Sequence, residues 1–124
     1  MVRPPIAHRA AVTFVVAALL AATIWHFSPW ATGHKEPWDA DGIFYFGALA
    51  VTGLIAGIVS PRPLWAHYVG SVIGQLGYEL LFLNVGPLVV IGVGFLLAYG
   101  LLFVAAALAG ARVRAFLGGA SSPT

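Results

Sequence analysis

Residues Leu64 to Asn84, LWAHYVGSVIGQLGYELLFLN, constrain this chain more than any other stretch. The run is long enough to cross a bilayer, yet it holds His67, Ser71, Gln75, Tyr78 and Glu79 among apolar residues. Wound as a helix at about 100° per residue, it divides into sectors. His67, Tyr68, Ser71, Gln75, Tyr78 and Glu79 share one arc, with Gly70, Gly74 and Gly77 beside it. Trp65, Val69, Val72, Ile73, Leu76, Leu80 and Leu83 occupy the opposite side, which is expected to face lipid. The polar arc must then point at protein or at a wet cavity, because an unpaired carboxylate or amide in hydrocarbon costs several kcal/mol.

Charge is too scarce here to clothe a soluble surface. Of 124 residues 60% are hydrophobic and 8% charged, so a polytopic protein of the lipid bilayer is expected. The absence of cysteine excludes disulfides, thiolate metal sites and cysteine nucleophiles. A formal charge of +2 rests on six scattered Lys and Arg residues, which make no nucleic-acid footprint.

Prolines, glycines and charges divide the chain. Residues 1–9 carry Arg3 and Arg9 and read as a cytoplasmic segment. Spans are expected over about 10–27, 43–60, 64–84 and 87–109, followed by a cytoplasmic stretch over 110–124 that ends in a disordered GGASSPT. The first run also resembles a signal peptide in having a basic start. Its apolar part is about 18 residues, however, and ends in Trp25, His26 and Phe27 rather than in a small-residue cleavage site. Ser28 to Gly42 is the one long connection; Trp30 and Trp38, with Trp25, suit an aromatic belt, and Asp39 or Asp41 can cap the second helix. Ser60-Pro61-Arg62-Pro63 forces a tight antiparallel hairpin between the second and third spans.

With the N-terminus in the cytoplasm, Arg3, Arg9, Arg62, Arg112 and Arg114 lie inside and Lys35 outside, a five-to-one bias. The expected fold is therefore all-α: a bundle of four transmembrane helices with both termini cytoplasmic, in a membrane read as the bacterial inner (plasma) membrane.

Two sets of residues can carry function. Gly47, Gly53 and Gly57 on the second helix, and Gly70, Gly74 and Gly77 on the third, form small-residue stripes that admit close backbone approach. They either bind the hairpin together or mark a seam with another copy or another membrane protein. The polar arc supplies the second set. Glu79 is the acidic residue within a span, at a depth close to that of His26, and is expected to pair with His26 or to bond Tyr78, Gln75 or a fourth-span tyrosine. Its charge inside hydrocarbon would be conditional on a proton or cation. Gln75, Ser71, Tyr68 and His67 would continue a polar track toward Arg62.

These residue types also make ordinary interhelical hydrogen bonds. No cofactor is called for: the histidines lack zinc spacing, and His26 and His67 lie near opposite faces, where they cannot grip one haem. No phosphate loop, nucleophile elbow or metalloprotease motif is present, which disfavours an enzyme. The reading is a small integral membrane subunit or accessory protein that packs against a membrane partner or itself. The alternative is a proton- or cation-coupled transporter or pore, a homo-oligomer with Glu79 as its protonation site.

Overall fold

A computed structural model describes residues 6–37, 43–83 and 86–121. Four helices follow in order: α1 (Ile6–Thr32), α2 (Phe44–Val59), α3 (Leu64–Phe82) and α4 (Val89–Ser121). They form an all-α bundle. By length and composition, α1 and α4 can each cross a bilayer, while α2 is apolar but only 16 residues long.

Two helices outrun their expected limits. α1 does not stop at Phe27 but continues through Pro29 to Thr32, where Gly33, at φ 80°, lets its N–H return to Pro29 O at 2.9 Å. A left-handed glycine after the last turn is the usual way to satisfy a final carbonyl. α4 likewise runs through Arg112 and Arg114 to Ser121, so the expected irregular tail is helical up to there. The stretch from Ala109 to Leu117 is rich in Ala and Arg and contains no proline, and helix propagation has no reason to stop within it. The residue before α2 is Ile43, which offers no side-chain cap; the expected caps Asp39 and Asp41 fall outside the described residues, as does Trp38.

Helix neighbours do not follow chain order. α1 packs on α3, and α2 on α4, in the two most extensive contacts, whereas α2 and α3, joined through Ser60–Pro63, barely touch. The hairpin is tight in sequence but diagonal in space, so the expected direct packing of its arms is corrected. Glycine explains this choice. A Cβ on Gly70 would lie 2.6 Å from Phe14 O and 3.0 Å from Ala17 Cβ, and one on Gly74 would overlap the Ala18 backbone. On the other pair, a Cβ on Gly53 would lie 2.6 Å from Phe103 O, and one on Gly57 would overlap the Ala107 backbone. Gly110 of α4 answers in kind against Leu54 and Ile58 of α2. Each seam is thus a parallel helix pair built from a Gly-x-x-x-Gly edge against the backbone of a Phe and an Ala four residues apart. Gly47 and Gly77 belong to neither seam: a side chain there would meet nothing within 4 Å.

The interior combines Ala17, Ala21, Trp25, Leu49, Leu96 and Phe103 with buried Thr13, Ser28, Ser60, His67, Ser71 and Gln75. The exterior is aliphatic, with Leu19 64%, Val90 76%, Leu101 64% and Leu80 51% exposed among many others. Val72 departs from the lipid-facing arc expected of it. It is buried, because Gly100 of α4 makes room for its methyl group and for the ring of Tyr68.

Candidate functional site

A polar line one residue in four runs down the buried edge of α3: His67, Ser71, Gln75 and Glu79. The spacing puts them one above another on a single helix face, turned toward the bundle interior.

Gln75 is the hub. Its Oε1 accepts the indole N–H of Trp25 from α1 at 2.9 Å and also the hydroxyl of Tyr45 from α2, while its Nε2 donates to Ser71 O at 3.3 Å. One side-chain amide therefore ties three helices. Trp25 was expected in an interfacial belt; it is instead wholly buried, because its N–H finds an acceptor that lipid cannot offer. Tyr45 further packs edge-on against Tyr99 of α4, ring centroids 4.6 Å apart.

Glu79 stands apart from that hub. Its side chain is almost completely buried, and its Oε2 accepts no hydrogen bond among the described residues. The expected pairing with His26 does not form. His26 Nδ1 instead lies 3.3 Å from the Tyr78 hydroxyl, at the exposed side of α3. Tyr45 and Glu36 both lie within electrostatic reach of Glu79.

At the other end of the line, His67 Nε2 donates to Ser60 O at 2.7 Å. A carbonyl can only accept, so the proton is on Nε2, and Nδ1 is left buried without a partner among the described residues. His67 is inside the bundle rather than at its rim, since the turn that carries Ser60 folds over it. Thr13 of α1 clamps the same turn, sharing a hydrogen bond with the Ser60 hydroxyl and donating to Arg62 O at 2.6 Å. Tyr68 reaches sideways to α4, where its hydroxyl donates to Leu97 O at 2.7 Å. Ser71 spends its hydroxyl on Tyr68 O of its own helix at 3.0 Å.

The structure therefore brings Gln75 together with two aromatic donors and the Ser71 carbonyl, holds His67 on the Ser60 turn, and leaves Glu79 Oε2 with no hydrogen bond among the described residues. Thr13, Trp25, Tyr45 and Ser60 were not singled out as partners from sequence. A signal for two of them exists: Thr13, Ala17, Ala21 and Trp25 repeat every fourth residue on α1, a small-residue stripe with a polar group at either end, matching the polar line of α3. Among the described residues no three of His, Asp and Glu converge as a metal site.

The chain was compared with protein-family models, with curated proteins and with solved structures, and it matches none of them.

Proposed function

We propose that the chain is an integral membrane protein whose four helices all cross the bilayer, with the arginine-bearing end in the cytoplasm, and that it acts as a small subunit or accessory protein. One observation carries the reading: polarity is inverted relative to a soluble domain. Gln75, His67, Ser71 and Thr13 are fully buried, while Leu19, Leu101, Val90, Ile91 and Leu81 stand open on the outside. Such a surface finds its proper solvent in acyl chains, and the buried polar groups are the interhelical contacts that bundles in lipid use.

The absence of native cysteine makes the topology directly testable. A membrane-impermeant thiol reagent should modify Lys35→Cys in intact cells and Gly118→Cys only after permeabilisation. The reverse pattern would overturn the orientation.

A structural role is favoured because Gln75 is held from three sides, an arrangement that fixes helices rather than opening a path between them. The surface offered to a partner is then the shallow apolar groove between α1 and α2, of about 500 Å³, where Gly47 leaves a gap beside Ile24, Phe27 and Phe44. A helix of a membrane partner or of a second copy fits such a gap. Gly47→Leu should abolish co-purification of that helix without lowering the melting temperature of the bundle; unchanged association would remove the groove from consideration.

The second reading, proton- or cation-coupled transport, is favoured by the buried Glu79 oxygen that accepts no bond among the described residues. Uptake into vesicles that disappears in Glu79→Gln would support it, and uptake unaffected by the change would exclude it.

A further inference from the structure

We propose that the cleft between the start of α3 and the end of α4 binds the phosphate of an anionic phospholipid, whose acyl chain lies along Trp65 and Leu108. The cleft measures about 1140 Å³ and is reached by Arg9 from α1, Arg62 from the preceding turn and Arg112 and Arg114 from α4. Among the described residues, the acidic Glu36 and Glu79 both lie outside the cleft lining, so neither carboxylate competes there for the guanidinium groups.

Two further features make this an anion site with an apolar wall. Arg9 Nε is buried and has no hydrogen-bond partner among the described residues. The start of α3 borders the cleft as well: Pro63, Leu64 and Trp65 line it, and Pro63 supplies no side-chain cap, so the positive end of the helix dipole adds to the arginine charge at this end of the bundle. Beside these donors the walls are Leu64, Trp65 and Leu108. Cationic forks next to open aliphatic surface suit a headgroup joined to an acyl chain better than a free anion. Nη1 of Arg114 already donates to Ile58 O and Val59 O, at 3.0 Å and 2.9 Å, so recognition falls first to Arg9, Arg62 and Arg112. A charge bias that merely sets orientation needs arginines on one side of the membrane; it does not need them gathered from three elements around one cleft.

The assignment rests on the membrane placement proposed above, so the full chain is first checked for retention in carbonate-washed membranes. Loss at that step overturns the placement and, with it, the lipid site. Retained protein is then extracted from vesicles containing phosphatidylglycerol and phosphatidylcholine, and bound lipid is counted by native mass spectrometry. The wild type should keep phosphatidylglycerol preferentially. Arg9→Gln and Arg112→Gln should each weaken that preference about fivefold, with Arg112→Lys intermediate and the melting temperature unchanged. Should either glutamine variant fail to fold, Arg62→Gln, at an exposed position, gives the same readout. Equal retention of the two lipids by the wild type, or a preference indifferent to these substitutions, overturns the proposal. Displacement of the lipid by inorganic phosphate irrespective of acyl chain overturns the phospholipid assignment in favour of a soluble anion.

Discussion

The indole N–H of Trp25 and the amide oxygen of Gln75 are 2.9 Å apart across the α1–α3 interface, and both side chains are wholly shielded from solvent. The same oxygen accepts the Tyr45 hydroxyl, so one acceptor orders three helices at one level. Trp25→Phe removes that bond and also part of a wholly buried ring system, and should destabilise the bundle by about 1–3 kcal/mol. Gln75→Leu should cost about 2–3 kcal/mol, because it removes an acceptor shared by two buried donors. Denaturant titration of the two single variants and of the double variant measures both values and their coupling.

The glycines of α2 and α3 separate into two groups with opposite expectations. Gly57→Ala and Gly74→Ala place a methyl group into the backbones of Ala107 and Ala18, and should lower the melting temperature sharply or prevent folding. Gly77→Ala meets nothing within 4 Å and should raise stability by up to about 1 kcal/mol through helix propensity alone. Thermal unfolding of the three proteins side by side provides the check.

Thr13 holds the Ser60–Pro63 turn against α1 through its hydroxyl alone. Thr13→Val preserves shape and leaves the Ser60 hydroxyl and Arg62 carbonyl unanswered, and a loss of about 1–3 kcal/mol is expected. Hydrogen exchange should localise the loosening to residues 60–67 rather than to the far end of the bundle.

Arg114 closes the end of α2 by donating to the carbonyls of Ile58 and Val59, groups that no further turn of that helix can satisfy. Arg114→Gln should remove about 0.5–1 kcal/mol, with Arg114→Lys in between, and the deficit should shrink as salt is added because the site is exposed. Melting curves at low and high ionic strength distinguish this cap from a packing contribution.

Much of the helical outline could be read directly from local pattern. Prolines at positions 61, 63 and 87 mark where α2 ends, where α3 starts and what precedes α4, and the four-residue spacing of Gly53 and Gly57, and of Gly70 and Gly74, marks the edges that admit a neighbouring backbone. The line His67, Ser71, Gln75, Glu79 was legible too, since a helix repeats its faces at fixed intervals whatever surrounds it.

What the periodicity could not contain was which helix stands opposite each edge. Connection through Ser60–Pro63 suggested α2 against α3, yet matching each glycine edge to a small-residue stretch, Phe14–Ala18 or Phe103–Ala107, placed the two helices on a diagonal. Partner choice for polar groups followed from that placement: Gln75 took Trp25 and Tyr45, His26 took Tyr78, and Glu79 Oε2 was left without a donor. The physical reason is range. Helix periodicity is set by bonds between residues four apart, whereas a buried donor and its acceptor here are separated by 30 to 50 positions and meet only when whole helices have chosen their neighbours.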